Sequence, residues 1–243
     1  LIKLFYLTEK YKKKEWTSAK SKEVHKCAVL GAGVMGGGIA QLFSFYNLPV
    51  RIKDLNYNAL AGALKTAKKV FEYGLKKRKI KPHQVEFDMG LISPTINYSG
   101  FLNVDLVIEA VVEDMKIKKS VFREVSKIVK PHAILASNTS ALSIDEMADE
   151  AINPERIVGM HFFNPVHRMP LIEVIRGRRT NEEAVATIVD FSRKLGKTAI
   201  VVKDSCGFLI NRILVPYLNE AGFMLEEGMD FQEIDRIITS FGM

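Results

Sequence analysis

The chain has 243 residues, 47% of them hydrophobic and 26% charged, with a formal net charge of +7. That is the balance of a soluble globular protein with one substantial core and room for a small second domain. No run approaches the ~18 apolar residues of a membrane span, and the opening LIKLFYL (1–7) is too short for a secretory h-region and runs into lysines. The two cysteines, Cys27 and Cys206, have no metal-ligand spacing, and Cys27 lies in an apolar run. A buried reduced thiol and a reducing intracellular compartment are the reading, with the bacterial cytoplasm placed ahead of a mitochondrial matrix or peroxisome.

In chain order, Leu4, Leu7 and Tyr11 recur at helical spacing, which predicts an amphipathic helix and then a linker around 17–23. The first residue is not Met, so the sequence is read as a piece of a longer chain. Lys26–Gly31 reads as a buried strand, followed by a glycine-rich turn and a helix to Tyr46; Val50–Asp54 is a second strand. A basic helix covers about Ala59 to Lys79. Asp105–Val111 is a short apolar run of the kind found in a parallel strand covered on both faces. Lys116–Val129 is read as helix, Ala133–Ala136, Arg156–Phe162 and Leu171–Ile175 as strands, Glu182–Leu195 as helix and Ala199–Val202 as strand. From Gly207 the pattern turns wholly helical.

Strands alternating with helices predict an α/β fold, a doubly wound, Rossmann-like parallel sheet, followed by the start of an all-helical C-terminal domain. The expected division is a linker helix over 1–23, a dinucleotide-binding domain over 24–205 and the beginning of a helical domain over 206–243.

The turn Gly31-x-Gly33-x-x-Gly36 joins a predicted strand to a predicted helix, and Asp54 ends the next strand eighteen residues beyond Gly36. This context makes it a dinucleotide site rather than a bare pattern. Gly31 permits the tight turn, Gly33 lets a pyrophosphate approach the backbone, and Gly36 lets the helix pack on the strand. The amides of Val34 and Met35 sit where a helix N-terminus meets phosphate. Asp54 can accept from a ribose and repel a 2′-phosphate, which favours NAD over NADP, although Arg51 and Lys53 stand close by.

Charge is clustered: residues 1–26 carry a surplus of +5, and 65–81 a surplus of +7. A nucleic-acid surface, a membrane surface, a polyphosphate site and a solvated helix face all fit such clusters, and no zinc-finger or RNA-recognition motif accompanies them. Within HFFNPVHRMPLIEVI (161–175), His161 and Glu173 stand twelve residues apart. A histidine can take the proton an alcohol loses as its hydride leaves, and a carboxylate on its other nitrogen would fix the tautomer. Spacing alone leaves open a strand-end histidine and a solvated glutamate.

From Val24 onward the chain resembles the L-3-hydroxyacyl-CoA dehydrogenase family. The motifs are Gly31–Gly36, Asp54, DLVIEAVVEDMKIK (105–118), ASNTSALSI (136–144), HFFNPVHRMPLIEVI (161–175) and DSCGFLINRILVPYLNEA (204–221). The segment LFYLTEKYKK (4–13) is similar to the connecting helix of the fused form, the multifunctional α-subunit of fatty-acid β-oxidation. The resemblance implies NAD-dependent, reversible oxidation of an L-3-hydroxyacyl-CoA, with His161 as general base and Glu173 as its orienting partner. Ser140 and Asn211 are implied at the reacting oxygen or the thioester carbonyl. Glu113, Lys118 and Asn164 are implied at the nicotinamide end, and Lys77 near coenzyme A. The hydroxyl residue the family carries earlier on that basic helix is Val70 here.

From the residues alone, Ser140 reads equally as a turn or cap residue, Asn211 as a surface residue and Lys118 as solvated charge. Implied partners are an acyl-CoA substrate, an enoyl-CoA hydratase domain fused upstream, a thiolase subunit and a homo-oligomeric assembly, with no nucleic acid or transmembrane segment. The family's further helices, absent beyond Met243, would supply one wall of the substrate site. The rival readings are a catalytically incomplete NAD/CoA-binding module or scaffold, and a nucleic-acid binder using the lysines.

Overall fold

Short apolar strands alternate with amphipathic helices through most of the chain. The computed structural model describes residues 2–242. In order these residues form α1 (Ile2–Lys12), β1 (Cys27–Leu30), α2 (Val34–Phe45), β2 (Val50–Lys53), α3 (Tyr57–Lys76), α4 (Pro82–Gly90), β3 (Ile92–Thr95) and β4 (Leu106–Glu109). There follow α5 (Met115–Val125), β5 (Ile134–Ser137), α6 (Ile144–Ala148), β6 (Ile157–Phe162), β7 (Leu171–Arg176), α7 (Glu182–Lys194), β8 (Thr198–Lys203), α8 (Ile210–Glu226) and α9 (Phe231–Phe241). Among them no helix is long and apolar enough to cross a membrane.

The strands make one sheet in the order β3-β2-β1-β4-β5-β6-β7-β8. The order reverses about β1, between β2 and β4, and such a switch point opens a crevice at the carboxyl ends of the strands. Alternate side chains of one strand feed two cores. Cys27 and Val29 of β1 join Phe43 and Ile52 on one face, while Ala28 and Leu30 join Phe101 and Phe122 on the other. Burial on both faces is why the central strands read as unbroken apolar runs. Cys27 lies in the first of these cores, and burial, helped by the charge of Asp105, pushes its thiol pKa up.

Two features depart from the sequence reading. The sheet is mixed: β7 runs antiparallel to β6, and β8 is parallel to β7. Only residues 163–170 connect β6 to β7, whereas a parallel return needs a crossover of about a dozen residues or more. The other is β3, with α4 before it, which the apolar pattern did not reveal. The strand is only Ile-Ser-Pro-Thr, and Pro94 is tolerated because β3 pairs with β2 alone, at the sheet edge.

Helix starts differ in a way that bears on the site. Asn56, Asp114 and Asn181 cap α3, α5 and α7 with their own side chains. At the start of α2 the N-cap is Gly33, and no side chain caps it. The first turn of α2 therefore presents its amides without a competing side-chain acceptor.

Candidate active site

The glycine-rich turn is shaped by contacts that forbid side chains at two of its three glycines. Gly31 has φ +98, and a Cβ there would stand 2.4 Å from the Ala110 carbonyl oxygen. At Gly36 a Cβ would fall 1.9 Å from the Gly31 oxygen, so α2 lies directly on the turn. Gly33 faces open space, with nothing within 4 Å of a built Cβ. A cavity of about 710 Å³ opens there, lined by Gly31, Gly33, Val34, Met35, Lys53 and Asp54 among others.

Asp54 stands at the cavity wall just past β2. Its Oδ2 accepts from the Ala32 amide at 2.7 Å and its Oδ1 from the Leu55 amide at 2.6 Å, which fixes the carboxylate beside the turn. Each oxygen keeps a further lone pair for a hydroxyl donor. Arg51 is turned elsewhere, its Nε donating to the Ser99 carbonyl at 2.8 Å, while the Lys53 ammonium lies 4.6 Å from the Tyr98 ring centre. An uncapped helix start, a glycine with open space above it and an acid at the next strand end together fit a dinucleotide.

Met35, Ala110 and Val111 also line a second cavity of about 370 Å³, so the two adjoin. Its walls include Glu113, Lys118, Asn138, Ser140, His161, Asn164 and Asn211. The antiparallel register places His161 directly opposite Glu173. His161 Nδ1 lies 2.8 Å from Glu173 Oε2, with the Glu173 side chain 0% exposed. The other oxygen, Oε1, accepts from the amides of Leu209 at 3.0 Å and Ile210 at 2.9 Å. Glu173 thus caps α8 from a different strand. Burial pushes its pKa up, but the His161 hydrogen bond and the two amides outweigh burial and hold it below the usual carboxylate value.

A second buried acid sits at the carboxyl end of β4. Glu109 Oε1 accepts from the Lys118 ammonium at 2.7 Å and the Val111 amide at 2.8 Å, and its Oε2 from the Ser137 hydroxyl at 2.6 Å. Lys118, readable from the sequence alone as solvated charge, has a side chain 1% exposed and also lies 3.2 Å from Glu113 Oε2. Glu113 Oε1 accepts from the Thr139 hydroxyl at 2.5 Å, the Ser140 amide at 2.9 Å and the Ser140 hydroxyl at 3.3 Å. Burial raises the Glu113 pKa, but these donors and Lys118 together bring it below the usual value.

The structure brings Ser140, His161, Asn164 and Asn211 to one cavity, with Glu173 behind the histidine. The Asn211 amide donates to the Ser140 carbonyl oxygen at 2.9 Å, joining α8 to the loop after β5. Asn164, in a cis peptide with Pro165, is carried by the β6–β7 connection. Buried Lys197 donates to the carbonyls of Val166 and Met169 in that connection at 2.7 and 2.8 Å. Lys77 is not brought in. It stands exposed at the C-cap of α3, its ammonium 5.8 Å from the Tyr73 ring centre, and lines neither cavity.

Glu109, Ser137, Asn138, Thr139 and Lys197 are polar residues about this site that reading the sequence missed. A carboxylate inside the apolar run DLVIEAV was a legible sign for the first; Lys197 carries no comparable mark.

Residues 26–205 match the family described as 3-hydroxyacyl-CoA dehydrogenase, NAD binding domain, and 207–243 match its C-terminal domain. A similar curated protein is the fatty acid oxidation complex subunit alpha of Pseudomonas savastanoi pv. phaseolicola, 46% identical over 243 residues, covering 100% of this chain and 34% of that one. The chain therefore spans about a third of the length of that relative. Among solved structures, M. tuberculosis FadB2 is 33% identical with a TM-score of 0.86, over 90% of this chain and 78% of that one. The (S)-3-hydroxybutyryl-CoA dehydrogenase PaaH1 of Ralstonia eutropha is 36% identical with a TM-score of 0.84, over 87% and 75%. With its sheet, its glycine turn and nearly all its length matched, the chain belongs to the 3-hydroxyacyl-CoA dehydrogenase family and carries that family's NAD binding domain.

Proposed function

We propose that the chain oxidises an L-3-hydroxyacyl-CoA to the 3-ketoacyl-CoA, reversibly, with NAD, as part of fatty-acid β-oxidation. The observation that carries this reading is the buried His161–Glu173 pair at 2.8 Å, in a cavity that adjoins the dinucleotide groove. When bound, NAD supplies the carbon that accepts hydride. The chain's own residues manage the proton. His161 receives it from the substrate hydroxyl at Nε2, the ring nitrogen not held by Glu173, and Glu173 fixes the ring and stabilises its cationic form.

Ser140 and Asn211 line the same cavity and serve the oxygen on which charge develops during reduction. Gly31, Gly33, Gly36 and the amides of Val34 and Met35 take the pyrophosphate, and Asp54 the adenosine ribose. Glu113, Lys118 and Asn164 take the nicotinamide end. Lys77, exposed on the basic helix, serves coenzyme A. Residues 24–205 act as the nucleotide domain, 206–243 as the beginning of a substrate and assembly domain, and 1–23 as a linker. In this reading the longer protein is cytoplasmic, bears an enoyl-CoA hydratase unit upstream, associates with a thiolase subunit and assembles with copies of itself.

The test pairs calorimetry with turnover. NAD and acetoacetyl-CoA are titrated into the protein, and NADH absorbance is followed as acetoacetyl-CoA is reduced. Binding of both with consumption of NADH is expected. Binding without turnover would leave a scaffold that keeps the nucleotide fold but not the chemistry.

A further inference from the structure

The cofactor end of the site holds three side chains of acidic or basic type, and one of them never reaches the cavity. Glu113 and Lys118 line it; Glu109 does not. Glu109 ends β4, whose backbone is paired to Leu30 on one side and Ser137 on the other, so it stands on a central strand of the sheet. Its carboxylate has three donors, Lys118, the Val111 amide and the Ser137 hydroxyl. Lys118 has three protons; two point at Glu109 and Glu113, and one remains for the cavity.

Two carboxylates against one ammonium leave the cluster with one negative charge. Were Lys118 matched by a single acid, as most buried pairs are, the cluster would be neutral. The surplus has a consequence for a nicotinamide, because the oxidised ring is a cation and the reduced ring is neutral. A fixed negative charge in the wall stabilises the first and does nothing for the second, and the burial of Glu109 and Lys118 weakens its screening, while Glu113, with a side chain 42% exposed, meets solvent.

We propose that Glu109 is a positioning and charge-setting residue for the cofactor: it aims Lys118 into the cavity and gives the cluster the net negative charge that favours the oxidised nucleotide. This rests on the reading that the nicotinamide lies at this end of the groove.

The experiment measures the affinities of NAD⁺ and NADH separately, by calorimetry, on the chain as it stands and on Glu109→Gln. The substitution keeps the shape and removes the charge. The ratio of NAD⁺ to NADH affinity is expected to fall on the order of tenfold, as for a unit charge lost at short range in a partly buried site. Ser137→Ala disturbs the same hydrogen bonds without altering charge and is expected to leave the ratio where it is.

Equal losses of both affinities in Glu109→Gln, or no change in either, would overturn the proposal by reducing Glu109 to a structural role or none. Should Glu109→Gln not fold, Glu113→Gln makes the same change in cluster charge from a more exposed position and must move the ratio in the same direction; an unmoved ratio there sinks it equally. A wild-type chain that binds neither nucleotide would remove the cofactor reading itself, and this inference with it.

Discussion

The two ends of the groove are built from different materials. At the nucleotide end the working parts are backbone: a left-handed glycine, a glycine open to solvent, uncapped helix amides and one half-buried acid. At the other end they are side chains, His161 and Glu173, both buried and held by partners distant in sequence. A backbone site needs residues that are near in sequence and small. A side-chain site needs elements that are far apart in sequence and rigid.

The most damaging way to probe the contrast is at His161, the proposed base. His161→Ala is expected to lower turnover by about 10²–10⁴-fold while NAD affinity holds, because the glycine turn shares no hydrogen bond with the histidine. Loss of NAD binding along with turnover would mean that the two ends are not separable.

Next in size is the acid at the other end. Asp54→Ser should weaken NAD and erode discrimination against NADP by about 1.5–3 kcal/mol, the range of a charge-assisted hydrogen bond. Competitive titration with the two nucleotides checks it. Since Arg51 is engaged with Ser99, Lys53 is the cation at hand for an added phosphate. An unchanged preference would put the ribose elsewhere.

Glu173→Gln sharpens the contrast from behind the histidine. Turnover should slow, and the acidic limb of the pH–rate profile should move to lower pH, since the imidazolium loses its counter-charge. An inflection that stays put would uncouple the pair. The same carboxylate has a sign in stability. Held below its ordinary 4.5 in the folded state, it stabilises the fold above that pH, and the contribution fades as pH falls through the lowered value.

The smallest effect is expected outside both ends, at Asp88. This buried acid of α4 has one oxygen accepting from Gln84 at 2.6 Å and another without a partner, and burial raises its pKa above 3.8. Its sign is the reverse. The folded state favours the protonated acid, so that stability is complete below about 3.8 and is lost as pH rises through the raised value. Asp88→Asn should therefore raise the melting temperature at neutral pH and not at strongly acidic pH, with nucleotide affinity unchanged. A lower melting temperature at neutral pH would give the ionised carboxylate a partner that the hydrogen bonds do not include.

The same contrast decides what was legible in the sequence. The glycine spacing from Gly31 to Gly36 marks the turn locally, and β1, β4, β5 and β6 announce themselves as apolar runs because both faces are covered. The reversal of β7 is not written in LIEVI, which reads alike in either direction; it follows from the short connection before it. The strand β3 hides behind Pro94. His161 and Glu173 are visible as residue types, but their meeting depends on a register that pairs them across two strands. Lys118 shows the limit most plainly. It is one of several charged residues on α5, and nothing in that run marks it for burial until Glu109 and Glu113 close around it.

One contact links this site to the helices that follow it. The carboxylate that orients the imidazole also receives the first amides of α8, and those amides are among the donors that keep it ionised. If α8 is drawn away, Glu173 loses two donors and its affinity for a proton rises. Docking of that helix and the ionised form of Glu173 are thermodynamically linked: acid below the ordinary 4.5 that protonates the carboxylate loosens the helix, and a seated helix holds the carboxylate ionised against the imidazole.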